Sequence, residues 1–106
     1  MDFEKFKAYF NEQDLFSRNS GMKLVELGEG YAKVELIIED KSKNFMGSMH
    51  GGLLYTMADV AAGASMFFCG KQVVTLSAVT DYIKAAFSGK VIAEGKMIAY
   101  GNPRSV

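Results

Sequence analysis

From Leu53 to Phe68 the chain runs sixteen residues, LLYTMADVAAGASMFF, rich in Leu, Met and Ala, without proline and with one charge, Asp59. That length and composition predict a long helix, and Gly70 follows at a plausible C-terminal stop. A helix apolar on nearly all sides has to be buried, so the remainder of the chain is expected to wrap around it. Small residues at Ala58, Ala61, Ala62, Gly63 and Ala64 predict close approach by whatever surrounds it. With 106 residues in all, 49% of them hydrophobic, the chain reads as one domain spanning 1–106.

The flanking segments supply the wrapping. Phe3, Phe6 and Phe10 follow Asp2 at helical spacing and predict a short amphipathic helix with an aspartate cap. The segments Met22 to Leu27 and Tyr31 to Glu39 flank Gly28-Glu29-Gly30, and in the second Ala32, Val34, Leu36 and Ile38 alternate with Tyr31, Lys33 and Glu35. Period two around a glycine turn predicts a β-hairpin. Beyond the long helix, Val73 to Lys84 and Lys90 to Tyr100 are β-rich, with Ser88-Gly89-Lys90 as the turn between them. The expected class is therefore α+β, an antiparallel sheet wrapped around a long central helix.

Several functions are argued against by composition. Twelve Lys and Arg balance twelve Asp and Glu, so no electrostatic footprint for nucleic acid or an anionic membrane is present. The amino terminus lacks an apolar signal core, and no run of about 18 apolar residues is read anywhere in the chain, which predicts a soluble, cytoplasmic protein. His50 and Cys69 are the sole His and Cys, so neither an intrachain disulfide nor a Cys/His zinc site is expected, and no cofactor is implied. A Cys69–His50 nucleophile pair is excluded by helical rise, which separates nineteen positions by over 20 Å. Cys69 reads as a small hydrophobe.

Asp59 would be desolvated inside such a helix, which disfavours its ionised form unless partners compensate. It either orders the core through a hydroxyl or amide, or it is a reactive carboxylate. Directly before the helix, GSMHGG places three glycines within six residues, at a point where free N–H groups favour an anion or a developing oxyanion. Gly52 and Asp59 are seven positions apart, about 10 Å along one helix axis. One chain cannot readily bring both to one carbonyl, whereas two chains related by a twofold axis can. His50 reads as a residue bonding backbone at the helix entry rather than as a general base.

Asn44, His50-Gly51-Gly52 and Asp59 form the pattern N-x5-HGG-x6-D, followed by the strand-like VVTLSAVTDYIKAA. This resembles the hotdog-fold thioesterases of the phenylacetic-acid-degradation type, with elements in similar order from Met22 to Tyr100. The resemblance implies an acyl-CoA thioesterase acting on a small aryl or acyl substrate. It implies helix N-terminal glycine amides, Gly52 first, as the oxyanion donors and Asp59 as nucleophile or as base for water. Asn44 would hold substrate or water, and Thr75 would be the assisting hydroxyl on the next strand. It further implies homodimers, or dimers of dimers, with sites between subunits. His50 and Gly51 would contact substrate, and Lys84 and Arg104 are the candidate cations for coenzyme A phosphates. Members of that group continue through two further strands after the position of Tyr100, so an open sheet edge is expected here. A hotdog dehydratase and a non-catalytic acyl-CoA-binding module are the alternative readings.

Overall fold

The computed structural model describes residues 2–99 and 101. Helix α1, Phe3–Gln13, begins where predicted, because the Asp2 side chain accepts the Lys5 N–H at 2.9 Å. Phe6 on its inner face stacks on Phe67 with ring centroids 3.7 Å apart, and Phe3 meets the same ring edge-on. A six-residue helix α2, Leu15–Ser20, follows and is closed by Gly21 in the left-handed region at φ 88°.

Strands β1, Met22–Gly28, and β2, Tyr31–Ile37, form the expected antiparallel hairpin. Ala32, Val34 and Leu36 are buried in alternation along β2, the period-two pattern of a sheet with one face on the core. Strand β3, Lys90–Lys96, pairs antiparallel with β2, giving the order β1-β2-β3. The free edge of β1 is engaged by α1: Asn11 Nδ2 donates to the Leu24 carbonyl at 2.9 Å, and Asn11 Oδ1 accepts the Leu24 N–H at 2.8 Å. One amide side chain thus substitutes for a neighbouring strand.

Helix α3, Gly51–Ala64, lies across this sheet, starting two residues earlier than predicted because His50 caps it. Met57, Ala61 and Ala64, at i, i+4 and i+7, form its buried face against β2 and β3. Its end is marked by Ser65, whose hydroxyl donates back to the Ala62 carbonyl at 2.6 Å; a 3₁₀ turn, Phe67–Cys69, and Gly70 at φ 72° complete the exit.

Three expectations are corrected. Burial of α3 on all sides does not hold, since Tyr55, Ala58 and Ala62 are exposed; a three-stranded sheet covers only one side of the helix. The stretch Gly51–Cys69, with mean hydropathy 1.3, has the length and apolarity to cross a membrane despite Asp59, so the sequence does contain one segment of that kind. Nor does Val73 to Lys84 form a strand. Strand β2 is already paired on both edges and the segment does not lie along the outer edge of β3, so it makes no ladder, and Val74, Val79 and Ile83 are more than nine-tenths exposed. The chain is tied down just beyond this segment, where the Met49 N–H donates to the Ala86 carbonyl at 2.8 Å.

Candidate active site

The loop before α3 is organised by Asn44. Its Oδ1 accepts the N–H groups of Met46 at 3.0 Å and Ser48 at 3.2 Å, and its Nδ2 donates to Ser48 Oγ at 3.1 Å. Short polar side chains that bond their own backbone in this way fix turns, and Gly47 supplies the left-handed residue the turn requires, at φ 86°. The His50 N–H then bonds the Ser42 carbonyl at 2.8 Å, anchoring the helix entry to the preceding 3₁₀ turn, Asp40–Ser42. Asn44 therefore shapes the path into α3, a role that its spacing from His50 does not reveal.

At the helix N-terminus His50 acts as the cap. Its Nδ1 accepts the Gly52 N–H at 2.9 Å, and its carbonyl takes the N–H groups of Leu53 and Leu54. The Gly52 N–H, expected as the first oxyanion donor, is thereby occupied. The Gly51 N–H makes no hydrogen bond among the described residues, while the Gly51 carbonyl accepts the Tyr82 hydroxyl at 3.1 Å. Tyr82 has no signal in the sequence, since its contact spans 31 positions.

Two turns along α3, Asp59 is half-buried rather than enclosed. Its Oδ1 accepts a short hydrogen bond from the Thr75 hydroxyl. Thr75 makes this bond from an extended segment and not from a strand. Asp59 Oδ2 is left without a hydrogen-bond partner among the described residues.

The surface around these groups is divided. Asp59 borders a groove of about 620 Å³ with Thr75, Met66 and Ser77, and a second of about 660 Å³ walled by Phe6, Phe10, Val60 and Phe67. His50 and Gly52 line a cleft of about 510 Å³ on α2 and the 3₁₀ turn, and Gly51 borders a shallower groove of about 280 Å³ that contains Tyr82 and Lys84. None of these four grooves contains both Asp59 and the His50-Gly51-Gly52 corner. Lys84 is exposed and Arg104 lies outside the described residues. Cys69 is a half-buried free thiol, and no cluster of metal-ligating side chains occurs among the described residues.

Comparison with known proteins adds a family. A model of the thioesterase superfamily matches residues 46–106. A protein of Archaeoglobus fulgidus, whose name classes it provisionally as an esterase, is 32% identical over 100 residues, which are 93% of this chain and 65% of that protein. The acyl-coenzyme A thioesterase PaaI of Escherichia coli K12 is 26% identical over 81 residues, 76% of this chain and 58% of that one. The chain thus spans less than two thirds of either curated relative. Among solved structures, a mutant of the phenylacetic acid degradation protein PaaI from Thermus thermophilus superposes with a TM-score of 0.78 at 28% identity, covering 84% of this chain and 77% of that one.

Proposed function

The chain belongs to the thioesterase superfamily and has the hotdog fold, and on that premise we propose that it hydrolyses the thioester of a small aryl or acyl coenzyme A. The observation that carries this reading is Asp59, held by the Thr75 hydroxyl on the same helix whose N-terminus presents a free Gly51 N–H. A carboxylate and an aimed backbone donor are the two groups that thioester hydrolysis requires, because the carbonyl is already electrophilic and the thiolate leaves readily.

Two routes use these groups. In one, Asp59 takes a proton from water, the hydroxide adds to the carbonyl carbon, and the Gly51 N–H receives the charge on oxygen; the C–S bond then breaks and sulfur departs with the proton held by Asp59. In the other, Asp59 itself adds, the thiolate leaves, and water hydrolyses the resulting anhydride to regenerate the carboxylate. Thr75 orients the carboxylate in both.

The site is completed by a second copy of the chain. Asp59 and Gly51 are separated by eight helical positions, about 12 Å of rise, and open onto different grooves, so Asp59 of one protomer serves the Gly51 N–H of the other across a twofold axis. The exposed apolar residues Val74, Leu76, Val79 and Ile83 supply the association surface, and the assembly is a soluble, cytoplasmic homodimer or a pair of dimers. His50 contributes by capping α3. An imidazole whose Nδ1 is bonded to the Gly52 N–H is poorly placed as a proton shuttle, which disfavours the dehydratase alternative.

The test is thiol release from a panel of aryl, short-chain and long-chain acyl-CoA substrates. Turnover that falls by about 10² or more in Asp59→Asn, with acyl-CoA affinity retained, supports the reading. Acyl-CoA binding without turnover in the parent would leave the chain as a binding module, and turnover within about threefold of the parent in Asp59→Asn would return Asp59 to a structural role.

A further inference from the structure

The cleft of about 510 Å³ that reaches Gly52 and Leu53 contains groups the hydrolytic chemistry leaves unused. Lys41 and Lys43 line it from the 3₁₀ turn and its exit, Phe16 and Asn19 line it from α2, and no Asp or Glu is among its walls. The lysines are only loosely held. Lys43 Nζ stands 3.8 Å from a fully exposed Asp40 carboxylate, and Lys41 Nζ donates to the Asn19 carbonyl at 3.0 Å and lies 4.0 Å from Glu39. Solvated ion pairs of this length contribute little, so an anion of higher charge can take over both ammonium groups.

His50 adds a ring donor. Because Nδ1 accepts from the Gly52 N–H, Nε2 is the ring nitrogen left to donate, and His50 also lines the cleft. Phe16 is 64% exposed there, an apolar ring open to solvent at the side of a basic cleft. Two cations, a ring N–H and an open aromatic face are the complement of a phosphorylated nucleotide: charge for the phosphates and a platform for a base.

We infer that this cleft holds the phosphate-bearing nucleotide end of coenzyme A, with Lys41 and Lys43 on the phosphates and Phe16 against the adenine. The assignment rests on the proposed acyl-CoA reading and moves the phosphate site away from Lys84, which lies in a separate groove with Gly51 and Tyr82. Gly52 and Leu53 border the cleft while Gly51 opens on the groove with Tyr82, so the pantetheine arm would pass over the head of α3 from one to the other to bring the thioester to the Gly51 N–H.

The experiment compares one acyl group carried on coenzyme A and on pantetheine, which lacks the phosphates and the adenine, and measures binding of free coenzyme A by calorimetry. Lys41→Glu/Lys43→Glu is tested beside Lys84→Glu and, as a control by charge reversal on α1, Lys5→Glu. The expected result is a KM for acyl-CoA raised by about tenfold or more in the double variant, with kcat within about twofold and KM for acyl-pantetheine unchanged, and a matching loss of coenzyme A affinity. Lys41→Gln/Lys43→Gln gives a smaller shift in the same direction and stands in if charge reversal disturbs folding. An unchanged coenzyme A affinity, equal losses on both carriers, or an effect confined to Lys84→Glu overturns the assignment. If the parent binds coenzyme A through these lysines but releases no thiol, the hydrolytic proposal fails and the cleft stands.

Discussion

Gly95 of β3 lies so close to Ala61 of α3 that a Cβ built on the glycine would stand 2.3 Å from the Ala61 carbonyl oxygen and 2.6 Å from its carbon. The obstacle is backbone on a packed helix, not the movable end of a side chain. Gly95 is thus what lets the central helix settle on the sheet, and it is the one buried residue of β3. Gly95→Ala should destabilise the fold by about 3 kcal/mol, the upper part of the range for overpacking, read as a shift in denaturant midpoint.

Gly63 is the opposite case on the same helix, with nothing within 4 Å of an ideal Cβ. If its surroundings stayed open, Gly63→Ala would stabilise α3 by about 1 kcal/mol through helix propensity. In the dimer proposed above this open face is adjacent to the association surface. Sedimentation therefore decides which effect wins: the variant should melt higher as a monomer and dimerise less tightly than the parent.

The cap at the head of α3 should be measurable on its own. His50→Ala removes the acceptor for the Gly52 N–H and should cost about 1 kcal/mol of stability, and His50→Asp should restore most of it, because a carboxylate accepts the same bond and suits a helix N-terminus. A loss that His50→Asp leaves uncorrected would show that the ring's packing matters more than its nitrogen.

Elements that depend on near neighbours are legible in the sequence. The Asp2 cap, the Phe3, Phe6 and Phe10 face, the Gly28-Glu29-Gly30 hairpin and His50 as a backbone-bonding residue each follow from groups a few positions apart. What depends on tertiary partners is not. A β-rich composition predicts a strand over Val73 to Lys84, but a strand exists only where the chain is laid beside a partner's free N–H and C=O groups; both edges of β2 are taken, and this segment is not brought to the outer edge of β3. The family resemblance assigns Asn44 and Gly52 to substrate, and the sequence does not reveal that Ser48 bonds the Asn44 amide or that His50 accepts the Gly52 N–H. The basic cleft is invisible for the same reason, since Lys41 is carried back to α2 and Phe16 by the β1–β2 hairpin and not by any local sequence pattern.

Tyr31 provides a pH probe of the sheet. Its hydroxyl donates to Glu94 Oε2 at 2.8 Å across β2 and β3, and that bond to a carboxylate raises its pKa from 10.0 to about 12. The folded value lies above the unfolded one, so the associated stability is fully present below pH 10 and is lost as pH rises toward 12. Absorbance titration should find one tyrosinate appearing late in the parent, and Glu94→Gln should bring it back toward the ordinary range. A late tyrosinate that persists in Glu94→Gln would assign the shift to another cause.

The division of labour between Gly51 and Asp59 can be tested without disturbing the helix. Proline is favoured at the first position of a helix, where its missing N–H costs no intrahelical bond, and it requires an extended residue before it. Gly51 occupies that position, and His50 already has φ −60° and ψ 130°. A Cβ at Gly51 would meet only the Tyr82 ring at ordinary contact, 3.5 Å. Gly51→Pro should therefore fold normally yet lose about 10² to 10³ in turnover, the effect of removing one oxyanion donor. Mixing it with Asp59→Asn then asks where the site lies. In a mixed dimer, one of the two sites carries both defects and the other carries neither, so activity should return toward half that of the parent for the mixed species. Should subunits exchange, as followed by mass, while activity stays at the level of the single variants, Gly51 and Asp59 act within one chain and the shared site is wrong.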